Sequence, residues 1–143
     1  MDVRELQHRP ATTCSPSAPI VEVARTMRQD NVGSVLVVDE HGALKGVVTD
    51  RDMVVRGIAE GLDGSAPVEG VMSRNVAFLY DNADVFAAAS EMAEKGLRRL
   101  PVLDVKGHLT GVVSFDDLVV TFAEQIGRLG HAVRKEIQAA VRP

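Results

Sequence analysis

The sequence predicts an α/β (α+β) fold, two tandem β-α-β-β-α repeats packed sheet to sheet with pseudo-twofold symmetry. Three observations predict it. The chain matches itself at an offset of 65 residues, each copy holds one segment of helical period, and each holds two short apolar runs split by a glycine turn. At that offset Met27 falls on Met92, Val37 on Val102, Asp39 on Asp104 and Gly42 on Gly107. Gly46-Val47-Val48 then falls on Gly111-Val112-Val113, Asp52 on Asp117, and Val54-Val55 on Val119-Val120. The unit is too long for a solenoid repeat, so the pattern is a duplication.

Each element has its own sequence reason. Short extended pieces are expected around residues 11–14 and 76–79. Ile20, Val23, Ala24 and Met27 recur at helical spacing, as do Val85, Ala88, Ala89 and Met92, with Ser17 and Asn82 in front as candidate N-caps. Val35-Leu36-Val37-Val38 and Leu44 to Val48 form the first hairpin around His41-Gly42. Leu100-Pro101-Val102-Leu103 and Leu109 to Val113 form the second around Lys106-Gly107. A second helix starts near Thr49 and near Ser114. A unit of this kind has one apolar sheet face and cannot bury it alone, so two copies pack together and leave a cleft on each side. The division that follows is repeat 1 with its N-terminal segment at 1–60, a Gly- and Pro-rich linker at 61–70, repeat 2 at 71–122, and a C-terminal amphipathic helix at 123–143.

That last helix carries Leu118, Phe122, Ile126, Leu129, Val133, Ile137 and Val141 at intervals of three or four. The stripe packs on its own core, on a sister subunit or on an effector; a sister subunit is the expectation. Gly127 and Gly130 each weaken the helix by about 1 kcal/mol relative to Ala and permit a bend.

Composition narrows the function. Hydrophobic residues are 45% and charged residues 25%, an ordinary globular balance, with no Trp, one Tyr and four Phe. A net charge of −4 argues against nucleic acid as a main partner, which needs a dense basic surface. No apolar run reaches membrane-spanning length, and the charged N-terminus does not read as a signal peptide. The single Cys14 fits a reducing cytoplasm and reads as a small apolar packer. His8, His41, His108 and His131 show no metal-ligand spacing and read as surface residues, so no metal is expected.

Two segments carry the chemistry: Gly46-Val47-Val48-Thr49-Asp50-Arg51-Asp52 and Gly111-Val112-Val113-Ser114-Phe115-Asp116-Asp117, with Arg98-Arg99-Leu100-Pro101-Val102 beside the second. These segments resemble the cystathionine-β-synthase (CBS) domain family in its tandem arrangement, the Bateman module, over residues 12–121. The resemblance implies that Asp52 and Asp117 accept hydrogen bonds from the ribose hydroxyls of an adenine nucleotide, with Thr49 and Ser114 beside them. It also implies that Arg98 and Arg99 reach the phosphates. An ionised carboxylate suits a cis-diol because charge-assisted bonds are the stronger kind. Thr-x-x-Asp at a helix start is also a capping box, in which both side chains satisfy backbone donors. In repeat 1, Gly33 and Ser34 replace the two arginines, and Arg51 is the candidate substitute, so the two sites are not equivalent.

The leading expectation is a regulatory module that binds AMP, ADP, ATP or a related adenosine compound, requires no cofactor, forms a homodimer and acts on a separate effector protein. The alternative is an interaction scaffold with vestigial sites. Catalysis is set aside: Asp50, Asp52, Asp116 and Asp117 have no nucleophile or electrophile beside them, and no phosphate-binding loop or nucleophile elbow occurs.

Overall fold

The computed structural model describes residues 1–6 and 10–141. In chain order it holds β1 (Thr13–Cys14), α1 (Ile20–Asp30), β2 (Ser34–Val38), β3 (Leu44–Thr49), α2 (Asp50–Asp52), β4 (Leu79–Tyr80), α3 (Val85–Lys95), β5 (Arg99–Leu103), β6 (Leu109–Ser114) and α4 (Phe115–Ala140). Two three-stranded sheets result, ordered β1-β2-β3 and β4-β5-β6. In each, the first strand runs parallel to the second and the last two form the antiparallel hairpin. The duplication extends to register: Ser34 pairs with Thr49 as Arg99 pairs with Ser114, and Cys14 with Val37 as Leu79 with Val102.

The hairpin turns explain the glycines at 42 and 107. Both adopt positive φ, +80° and +86°, where a Cβ is strained. Asp39 Oδ1 accepts from the His41 and Ala43 amides at 2.9 Å, and Asp104 Oδ1 from Lys106 and His108 at 2.8 and 2.9 Å. These amide donors hold both carboxyls below the usual range. The two turns meet, with the Leu109 amide donating to Gly42 O at 3.0 Å and a bridge between Ala43 and His108.

Each repeat buries its sheet under its helices. Val35, Val37 and Val48 pack with Val23, Met27 and Met53; Leu100, Val102 and Val113 pack with Val85, Ala88, Met92 and Leu118. Neither group is closed by its own repeat. Val68, Val71 and Met72 complete the first core, whereas Val3 and Leu6, at the chain's start, complete the second. The packing therefore crosses the division at residues 60 and 70. Val3 and Val68 each begin a 3-10 turn, Val3–Glu5 and Val68–Gly70. The Val3 amide donates to Ala83 O at 2.8 Å, and the Val68 amide to Ala18 O at 2.9 Å. The Val85 amide reaches Met1 O as the Ile20 amide reaches Ala66 O. Every partner in these pairs is 65 residues from its counterpart.

Some sequence expectations need correction. Ser17 and Asn82 do not cap the first helices; Pro19 and Asp84 hold those positions, and the Asp84 carboxylate accepts from the Phe86 amide at 2.8 Å. Ser17 instead shares a hydroxyl hydrogen bond with Ser15. Ala24 lies on the exposed side of α1, and His108 is half-buried against Asp104 at 3.1 Å. His8 lies outside the described residues. The second helix of repeat 1 passes into π-helical turns at Met53–Ile58, while its counterpart runs unbroken through Gly127 and Gly130 to Ala140. Past Phe122 its stripe does not fold back: Ile126 and Leu129 are each 69% exposed.

Gly46 marks where the crossing segment meets the first sheet. A Cβ there would lie 2.7 Å from Met72 Sδ and 2.7 Å from Ser73 O, and Ser73 O accepts from the Val47 amide at 2.9 Å. Gly46→Ala is predicted to destabilise the chain by about 1–3 kcal/mol, the usual cost of overpacking. A melting temperature equal to wild type would show that the segment is not held at this point.

Candidate functional site

Both hairpins end on the same local structure. The last residue of β3, Thr49, is the N-cap of α2, and the last residue of β6, Ser114, is the N-cap of α4. At the first junction the Asp52 amide donates to Thr49 Oγ1 at 3.1 Å, and Asp52 Oδ2 accepts from the Thr49 amide at 2.9 Å and its hydroxyl at 3.0 Å. At the second, the Asp117 amide donates to Ser114 Oγ at 3.1 Å, while Asp117 Oδ2 accepts from the Ser114 amide at 2.9 Å and from its hydroxyl. The capping box is thus formed at both junctions, and each aspartate is fixed by it. Thr49, Asp52 and Asp117 stay part-exposed; Ser114 is buried.

These contacts engage one oxygen of each carboxylate. Asp52 Oδ1 has no hydrogen-bond donor among the described residues. Capping therefore leaves Asp52 able to accept from a hydroxyl brought by a ligand.

The hairpin register brings the arginines to the second junction. Arg99 pairs with Ser114 in the β5–β6 ladder, and Arg98 O accepts from the Phe115 amide at 2.8 Å. Arg98 reaches Asp116 Oδ1 at 3.2 Å and lies 5.4 Å from the centre of the Phe115 ring. That ion pair is exposed on both sides, and such pairs contribute only about 0–1 kcal/mol. A more strongly charged anion can compete for Arg98 at small cost. The Arg99 side chain is exposed and has no hydrogen bond or ion pair among the described residues.

Repeat 1 repeats the backbone without the charge. Asp50 N donates to Gly33 O at 3.0 Å, as Phe115 N does to Arg98 O. A Cβ on Gly33 would meet Asp50 Oδ2 at 3.4 Å, so this corner carries an acid where repeat 2 carries Phe115. Arg51 is exposed at the start of α2 and has no side-chain partner among the described residues. It lies next in sequence to Asp52 but occupies the position equivalent to Asp116, not to Arg98 or Arg99.

One feature near repeat 1 was absent from the sequence reading. A cleft of about 660 Å³ is lined by Arg56, Glu60, Glu69, Met72, Ser73 and Arg74. The Arg56 guanidinium donates to Val71 O at 3.2 Å and Met72 O at 3.0 Å, holding the crossing segment along its floor. Arg56 gave no signal because its partners are backbone carbonyls, which no side-chain motif marks. Cys14 is half-buried and its thiol pKa is pushed up by that burial. Among the described residues no three His, Cys, Asp or Glu side chains group as a metal site, and no helix is long and apolar enough to cross a membrane.

Known proteins share this arrangement. The CBS domain model matches residues 3–56 and 68–124. The CBS domain-containing protein YhcV of Bacillus subtilis is 41% identical over 118 residues, covering 82% of this chain and 83% of that protein. The CBS domain protein PAE2072 from Pyrobaculum aerophilum, solved in complex with AMP, is 26% identical with a TM-score of 0.69, over 87% of this chain and 99% of that one. The CBS domain pair of protein MJ0100, solved with 5′-methylthioadenosine and S-adenosyl-L-methionine, is 26% identical with a TM-score of 0.68, over 87% and 98%. With both repeats matched and both hairpin-to-helix junctions built alike, this chain belongs to the CBS domain family as a tandem pair.

Proposed function

We propose that this chain is a non-catalytic regulatory module that binds an adenosine ligand such as AMP, ADP or ATP, and changes the behaviour of a separate protein. The observation that carries the reading is the doubled junction, where a hydroxyl and a carboxylate are locked together at the end of each hairpin. Thr49 with Asp52, and Ser114 with Asp117, supply the ribose acceptors; Arg98 and Arg99 supply the phosphate contacts in repeat 2, and Arg51 is their candidate substitute in repeat 1. The AMP and S-adenosyl-L-methionine complexes of two related pairs support an adenosine ligand. The protein acts as a homodimer in the cytoplasm.

A second reading, a scaffold with a vestigial site, has support in repeat 1 alone. There Gly33 and Ser34 stand where Arg98 and Arg99 stand in repeat 2, and Asp50 adds negative charge beside them. Repeat 2 is accordingly the stronger site for a phosphorylated ligand.

Two measurements follow. Titration of the full chain with AMP by calorimetry is expected to give saturable heat at a micromolar dissociation constant, about −8 kcal/mol. No heat and no rise in melting temperature with AMP, ATP or S-adenosylmethionine would leave the scaffold as the better account. Arg99→Ala should then weaken binding of AMP more than that of adenosine, because the arginine contacts only the phosphate. Equal losses for both would assign Arg99 a packing role.

A further inference from the structure

Repeat 2 ends in a helix that repeat 1 lacks. The matching helical segment of repeat 1 ends at Ile58 and the chain turns at Gly61 with φ +72°, whereas α4 runs on to Ala140. The CBS domain model stops at residue 124, so the outer part of α4, from residue 125, is an addition to the repeat. It is also bare. Every residue from His131 to Val141 is exposed, Val133 and Ile137 among them, and so are Ile126 and Leu129.

This outer part combines an apolar face with a reversed charge. At 3.6 residues per turn Ile126, Leu129, Val133 and Ile137 fall on one face, Arg128, His131 and Lys135 on the opposite face, and Arg134 on the flank. Residues 125–143 hold four basic side chains, Arg128, Arg134, Lys135 and Arg142, against the single acid Glu136. The 124 residues before them hold 12 basic side chains against 19 acidic ones. An acidic protein thus gathers its positive excess on the stretch where its apolar face is uncovered. Arg128, Arg134 and Lys135 are exposed and have no ion pair among the described residues.

From these features we infer that the outer part of α4 docks on an anionic lipid surface. The helix lies flat in the headgroup layer, with Ile126, Leu129, Val133 and Ile137 toward the acyl chains and the basic side chains among the phosphates. It lies on the membrane and not across it, since no helix among the described residues is long and apolar enough to span one. Charge complementarity chooses this occupant. A second copy fits the stretch less well, because it would set two stretches of net positive charge side by side. A groove in another protein draws its affinity from aromatic and arginine anchors seated in fitted pockets, and this face presents aliphatic side chains alone. A lipid surface needs only apolar area and positive charge on one helix, and both are here. The acidic repeats are repelled by the same surface, which confines the contact to α4. The inference does not depend on the nucleotide reading above.

The test is sedimentation of the full chain with vesicles of phosphatidylglycerol and phosphatidylcholine in equal parts, and with vesicles of phosphatidylcholine alone. The chain is expected to pellet with the anionic vesicles at low salt, to be released from them by added salt, and to stay in solution with the neutral ones. Two double variants separate the contributions: Arg134→Glu with Lys135→Glu, and Leu129→Glu with Ile137→Glu. All four side chains are exposed, so both variants are expected to melt as the wild type does. Each is expected to bind the anionic vesicles at least about tenfold more weakly. No pelleting of the full chain with anionic vesicles would overturn the inference, as would equal pelleting with neutral vesicles or undiminished binding by either variant. A full chain that ignores the vesicles, and whose mass by light scattering drops to a monomer with Leu129→Glu and Ile137→Glu, would give the face to a sister subunit instead.

Discussion

Neither half of this protein can close its own core. Val68, Val71 and Met72 pack with the helices and sheet of repeat 1, and Val3 and Leu6 with those of repeat 2. Val3 and Val68 are fully buried, and full burial of a valine contributes about 1.5 kcal/mol or more. The two segments make matching amide hydrogen bonds to Ala83 and Ala18, so the exchange is reciprocal. That reciprocity ties each core to a segment from outside its own repeat.

The junctions show how paired side chains close a helix start. A helix start needs acceptors for its orphan amides, and Thr49 and Ser114 provide them while Asp52 and Asp117 return the bond. The geometry fixes each carboxylate beside a hairpin end. Positioning thus comes with the fold, and the surroundings of the two carboxylates differ. Repeat 2 adds Arg98, Arg99 and Phe115; repeat 1 keeps Gly33 and adds Asp50. The two junctions share a frame and differ in charge.

Much of this was legible in the sequence. The 65-residue offset fixed the two sheets, and the glycine turns at 42 and 107 placed both hairpins within a residue of their observed ends. Thr49, Asp52, Ser114 and Asp117 could be read as paired because a hydroxyl and an acid three apart follow an apolar run in both copies. The helix caps were misread because Ser17 and Asn82 are good capping residues by type, while the chain enters α1 through Pro19, whose fixed φ suits a helix entrance but carries no side-chain signal. The core exchange was invisible for a similar reason: Val3, Leu6, Val68 and Val71 sit in segments too short to show a period. The uncovered seam of α4 was visible as a stripe, but periodicity alone cannot say which surface a stripe meets.

The central claim is that the capping carboxylates are also the ribose acceptors, and it is tested most directly by separating those two roles. Asp52→Asn and Asp117→Asn, each in the full chain, should be titrated with AMP and melted in parallel. The account predicts that each substitution weakens binding at its own site by about 1.5–3 kcal/mol, the range for a hydrogen bond to a charged group. Variants that lose melting temperature yet bind AMP with wild-type affinity would contradict it, leaving Asp52 and Asp117 as caps alone.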